Sequence, residues 1–135
     1  MLFRSVQIAC EKITDEQLEK LRRVKDEFEL CTKGKDVKKI AEADVNFHDV
    51  IYEAADNPKL VSILSNLREQ VYRYRVEYVK NPENYPILIR EHEKIWEGLM
   101  ARDKERATHA MHEHVENQAV AVKAVIQNQD EEKHN

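Results

Sequence analysis

Apolar residues recur along most of this chain at intervals of three and four, the repeat of helices that bury one face. A short helix is expected from Phe3 to Ile13, and Thr14 with Gln17 then forms a capping box ahead of Leu18, Leu21, Val24 and Phe28. That second helix should end near Gly34. A third is expected from Asp36 to Ala55, stopped by Asp56-Asn57-Pro58, where Asn57 can cap and Pro58 can open the next helix. The fourth carries Leu60, Leu64, Leu67, Val71, Tyr74 and Tyr78 as one long apolar stripe and ends at Asn81-Pro82, with Tyr74 and Tyr78 read as core. A loop from Pro82 to Pro86 should precede a helix with Leu88, His92, Ile95, Trp96 and Leu99 on one side. Asp103 caps the last helix, whose inward face reads Ala107, Met111, His114, Val115, Ala121, Val122 and Val125. The polar tail, 127–135, should fray.

The pattern therefore predicts an all-α fold, an antiparallel helical bundle of about six helices, with one domain over 1–126 and a tail over 127–135. Composition agrees. Two glycines and three prolines in 135 residues leave few interruptions, and every proline falls at an expected boundary. A chain of this length buries about two-thirds of its unfolded surface around a single core. Net charge is −4 with acids and bases interspersed, which provides no basic face for nucleic acid. No apolar run approaches a membrane span and the N-terminus lacks a signal-peptide pattern, so a cytoplasmic protein is expected. Cys10 and Cys31 are spaced as inert thiols rather than as a metal or redox motif.

What breaks the pattern is a set of polar residues in apolar stripes. The third helix runs Val37, Ile40, Phe47, Ile51, Ala54, but Asp44 and His48 hold two of its inward positions. Four residues apart, they stack on one face of the helix. His92 and His114 occupy the stripes of the last two helices, which a short turn at Arg102-Asp103 should fold against each other. Burying such groups without partners costs several kcal/mol, about 2–7 for each neutral group. Mutual hydrogen bonding within the core is one solution. A divalent metal is the other: three neutral imidazoles and one carboxylate suit Zn²⁺, Ni²⁺, Mn²⁺ or Fe²⁺. His109 and His112 lie about 500° and 200° around the helix from His114 and should face solvent.

These residues resemble a known family in order and spacing. The D-x-x-x-H of "ADVNFHDVI", the "NPKL" that follows, "REHEKIWEGLMARD" and "ATHAMHEHV" are similar to the FCD domain, the C-terminal effector-binding domain of GntR-type bacterial transcription regulators. The resemblance runs from about Thr14 to about Val122. It implies a helical bundle holding a divalent transition metal through Asp44, His48, His92 and His114. It also implies a small organic acid bound beside that metal, a homodimer, and control of an attached winged helix-turn-helix. No winged helix precedes Phe3, so DNA contact is expected only through a domain not present in this chain.

Arg68 and Arg75, seven apart on the fourth helix, share a face beside its stripe and are candidate effector-binding residues. A di- or hydroxy-carboxylate is the expected effector, with one of these arginines neutralising its second charge. No catalytic residue is assigned. A helical-bundle metalloenzyme of di-iron type needs repeated Glu-x-x-His, and that pattern occurs here as Glu131-His134 in the tail. Glu91 and Glu113 adjoin metal-ligand candidates but should point about 100° away. The remaining alternative is a structural dimerisation bundle with a closed metal site. With no recognition helix, residues 1–135 should show no sequence-selective duplex binding in a gel-shift assay.

Overall fold

The computed structural model describes residues 2–117, and its helices follow the boundaries that capping chemistry sets. They are α1 (Leu2–Lys12), α2 (Asp15–Cys31), α3 (Val37–Ala55), α4 (Pro58–Val79) and α5 (Tyr85–Met100). Residues 104–117 form a further helix, α6, running to the last described residue. Thr14 and Gln17 make the reciprocal capping box. Asp36 accepts from the amides of Lys38 and Lys39 at the start of α3, and Asp103 accepts from Arg106 at the start of α6. The expected loop at Pro82 is instead a 3-10 turn, Pro82–Asn84, capped by Asn81 and continuous with α5. Proline at a first helical position tightens such an entry rather than breaking it. Positions 121, 122 and 125 of the last helix's expected face, and the tail, lie outside the described residues.

Helix α3 is the hub, packing on α1, α2 and α4, while α5 packs on α1 and α2. Two apolar layers result. One joins Val6, Leu21, Phe47, Ile51, Ile95 and Met111; the other joins Phe28, Ile40, Ala43, Tyr78, Val79 and Leu88. Along α3 the second layer ends at Ala43 and the first begins at Phe47. Along α5 the corresponding break lies between Leu88 and Ile95. Asp44 and His92 fall in those gaps, and His48 follows one turn after Asp44, so the polar groups gather where the two hydrophobic clusters meet.

Helix α4 corrects the sequence reading. Leu67 and Tyr74 are 41% and 51% exposed, so the middle of the long stripe does not face the core, whereas Tyr78 at its end is buried as expected. The inward face is one residue around, where Tyr72 and Val76 pack against the buried Tyr78 and Val79, and where Arg75 also lies. One helical position is a 100° rotation, and both candidate stripes share the same three-and-four spacing. Periodicity alone could not separate them. Side chains of Leu60, Leu64 and Arg68 are not among those described.

The hairpin of α5 and α6 depends on close backbone approach. Arg102 adopts φ 51° in the left-handed region, and the amides of Asp103 and Arg102 bond the carbonyls of Gly98 and Leu99, both at 3.0 Å. These are the two bonds of a Schellman stop. Glycine is the usual residue there, yet here the Arg102 guanidinium reaches the last carbonyls of α1, donating to Cys10 at 3.2 Å and Ile13 at 2.7 Å. Gly98 is buried, and a Cβ on it would sit 2.8 Å from Ala107 Cα and 2.9 Å from Ala107 N. Because those atoms are backbone, the two helices would have to separate. Gly98→Ala should therefore destabilise the fold by about 1–3 kcal/mol, read as a lower denaturation midpoint.

Candidate metal centre

The four polar stripe residues meet. Asp44 and His48 from α3, His92 from α5 and His114 from α6 are all buried. One donor atom from each lies within 4.8 Å of every other. His92 Nε2 is 2.9 Å from Asp44 Oδ1, His48 Nε2 is 3.4 Å from the same oxygen, and His48 and His114 face each other through Nε2 at 3.0 Å. Aromatic rings fix the imidazoles sideways. Phe47 stacks on His92 at 4.1 Å between centroids while Phe28 meets its edge at 4.6 Å. Tyr52 lies 6.3 Å from His48 in a near-parallel stack.

Glu91 sets the direction of His114. Its Oε1 lies 3.3 Å from His114 Nδ1, and Asn117 Nδ2 donates to its other oxygen at 3.2 Å. A carboxylate only accepts, so His114 carries its proton on Nδ1 and turns the Nε2 lone pair to the centre. This is the arrangement in which an outer carboxylate orients a metal-binding histidine. His48 Nδ1 and His92 Nδ1 are buried without a hydrogen-bond partner among the described residues. Glu91, treated above as poorly aimed at the centre, acts instead on the back of a ligand. The signal was available: Leu88, Glu91, His92 and Ile95 keep the i, i+3, i+4, i+7 spacing of one buried face.

Electrostatics favour the ligand forms of these groups. Burial opposes a charge on Asp44, but the Arg75 guanidinium and the bonds from His48 and His92 outweigh it and hold the carboxyl well below its ordinary range. Burial, reinforced by Arg75, keeps the His48 imidazole well below its usual value, and burial lowers His92 despite its bond to Asp44. The result is a carboxylate beside the neutral imidazoles of His48 and His92. Burial, with the nearby Glu91 and Asp44 charges, pushes the Tyr78 hydroxyl up to about 12, so it stays protonated.

The donors fit a transition-metal ion. Ligands at about 2.1 Å from one ion sit roughly 3 to 4.2 Å from each other; the short separations here, 2.9, 3.0 and 3.4 Å, lie near the close end of that range, and the full spread, within 4.8 Å, would have to contract slightly around an ion. Carboxylate plus imidazole is a donor set for Zn²⁺, Ni²⁺, Mn²⁺ or Fe²⁺ rather than Ca²⁺.

Of the two arginines singled out, Arg75 reaches the centre, donating to Asp44 Oδ2 at 2.8 Å with its side chain 12% exposed. Arg68 lies on the same helix, and its side chain is not described. His109 and His112 are exposed, as their angular positions required. Cys10 is buried and Cys31 half-buried, both as free thiols. Among the described residues no helix is long and apolar enough to cross a membrane.

Comparison with known proteins bears on the family and the fold. The family model described as FCD domain matches residues 4–117. The chain is 28% identical over 110 residues to the HTH-type transcriptional regulator YcbG of Bacillus subtilis, a match covering 82% of this chain and 45% of that protein. It is 27% identical over 122 residues to the HTH-type transcriptional repressor RspR of Escherichia coli, covering 88% of this chain and 52% of the repressor. The chain thus spans about half the length of the curated relatives it matches. Among solved structures, E. coli McbR/YncC superposes with a TM-score of 0.81 at 19% identity, over 91% of this chain and 62% of that one. That likeness concerns the fold.

Metal content should depend on the four central residues. Asp44→Ala, His48→Ala, His92→Ala and His114→Ala should each lose most bound metal by elemental analysis, whereas His109→Ala and His112→Ala should retain it. Undiminished metal in a His92→Ala/His114→Ala double variant would exclude the site.

Proposed function

This chain belongs to the FCD domain family, and on that premise we propose that it is the ligand-sensing and dimerisation domain of a GntR-type transcription regulator. In this reading Asp44, His48, His92 and His114 hold a divalent transition metal, and a small organic acid completes its coordination. The observation that carries the reading is a buried Asp-His₃ cluster where two apolar layers meet. Four protein donors leave one or two positions on an ion that accepts five or six, and an anionic oxygen suits them.

Arg75 supplies a route from the site to the surface. It belongs to α4, whereas the Asp44 it holds belongs to α3. An acid that favours one arrangement of the centre therefore biases how α4 sits on the hub, a population shift between two forms of the bundle. Leu67 and Tyr74, seven residues apart on one face of α4, are each more than 40% exposed. An exposed apolar pair of this kind supports pairing with a second copy of the chain. DNA contact then belongs to a separate winged-helix domain whose spacing the dimer sets. The relatives' names, regulator and repressor, favour this over an enzyme.

Binding of the ion to the folded state should add about 2.7 kcal/mol at a hundredfold excess over Kd, so chelation should lower Tm. Lactate, malate and sugar acids, screened by thermal shift, should raise Tm of the metal-loaded protein and lose that effect after the ion is removed. A metal-stabilised fold indifferent to every acid would indicate a closed structural site instead. Equal stabilisation of the metal-free protein would place the acid elsewhere.

A further inference from the structure

Arg102 belongs to the α5–α6 turn, but its side chain serves α1. The Thr14 amide, which would bond the Cys10 carbonyl if α1 continued, instead donates to Gln17 Oε1 at 3.0 Å in the capping box of α2. The end of α1 is thereby left with carbonyls that no amide of its own helix can reach. The Arg102 guanidinium takes them. Its Nη1 donates to Cys10 O at 3.2 Å and to Glu11 O at 3.4 Å, and its Nη2 donates to Ile13 O at 2.7 Å. A cation at this position also meets the negative end of the helix dipole. Lys104 adds an exposed ion pair with Glu11.

The backbone opposes this arrangement. Arg102 sits at φ 51°, a conformation that glycine takes freely and that a Cβ resists. A residue needed only to stop α5 would be better as glycine; what the arginine adds is its hold on α1. The same hairpin carries His92 on α5 and His114 on α6, about 15 Å along it from Arg102. Through them it faces Asp44 and His48 of α3, the helix on which α1 packs with Val6, Ala9, Cys10 and Ile13 buried. We propose that Arg102 is a latch that makes α1 move with the α5–α6 hairpin, so that occupancy of the Asp44, His48, His92 and His114 centre is transmitted to α1. The latch stands on the contacts of Arg102, while its control by an ion rests on the metal reading above. An ion that draws His92 and His114 onto α3 fixes the hairpin, and the guanidinium then fixes the end of α1 and its junction with α2. Without the ion the hairpin opens more readily and α1 follows it.

Hydrogen–deuterium exchange of the full-length chain, zinc-loaded and after chelation, tests this. Zinc should slow exchange in the C-terminal half of α1 of the unmodified protein. Arg102→Gly removes the guanidinium but suits the backbone, so exchange at the α5–α6 turn should hold or slow. Exchange in α1 should rise about tenfold, as for the loss of one or two hydrogen bonds, and zinc should no longer protect it. Arg102→Asn, which tolerates the left-handed region but is too short to reach α1, should behave alike and decides the matter if the glycine variant folds poorly. Lys104→Gln, which removes only the surface ion pair, should leave α1 exchange within about twofold. Unchanged α1 exchange in the Arg102 variants overturns the latch, as does a Lys104→Gln variant that frees α1 equally. Zinc that binds the unmodified chain without protecting α1 overturns the transmission. Failure of zinc to bind overturns the metal reading instead, and the zinc-free exchange of the variants then decides the latch alone.

Discussion

The fold is organised around a polar layer that has no access to water. Asp44, His48, His92 and His114 stand at core positions of three helices, where the two hydrophobic clusters meet. Left unsatisfied, groups of this kind would each subtract several kcal/mol, about 2–7, from a net stability of about 5–15. Their mutual contacts, or an ion shared among them, are therefore a condition of the bundle's existing in this form. Any change that separates α5 from α6, or either from α3, acts on the core and on the centre together. The glycine contact at the α5–α6 hairpin matters for this reason: Gly98 and Ala107 meet six and seven residues from His92 and His114 respectively.

Around the four inner groups sits a second set that decides how they behave. Arg75 keeps Asp44 ionised against the effect of burial. Glu91, held by Asn117, selects the tautomer of His114. The three imidazoles are consequently not equivalent: His114 is anchored by a carboxylate, while His92 is positioned by the rings of Phe47 and Phe28. An anchored imidazole is the more basic donor.

Helix α4 differs from the other helices in how it is held. Tyr78 and Val79 near its C-terminus are buried, while Val61, Leu67 and Tyr74 along its length are exposed. A cleft of about 610 Å³ lies between α3 and α4, lined in part by Asn46, Ser65 and Tyr72. Arg75 ties the helix to Asp44 on α3, so the position of α4 and the geometry of the centre are coupled.

Much of this was legible along the chain because local chemistry decides it. Thr14 and Gln17, Asp36, Pro58 and Asp103 set helix ends through bonds that reach no further than one turn. Asp44, His48, His92 and His114 stood out because a polar residue in an apolar repeat is conspicuous wherever the helices go, and a four-residue spacing already places two of them together. The face of α4 was not legible: two stripes 100° apart satisfy the same period, and only packing against α3 selects between them. Nor were the partners of Arg75 and Glu91, since each lies on a different helix from the group it serves. Contacts between helices depend on rotation and offset, which are set by the fit of whole faces, and no interval along one helix records them.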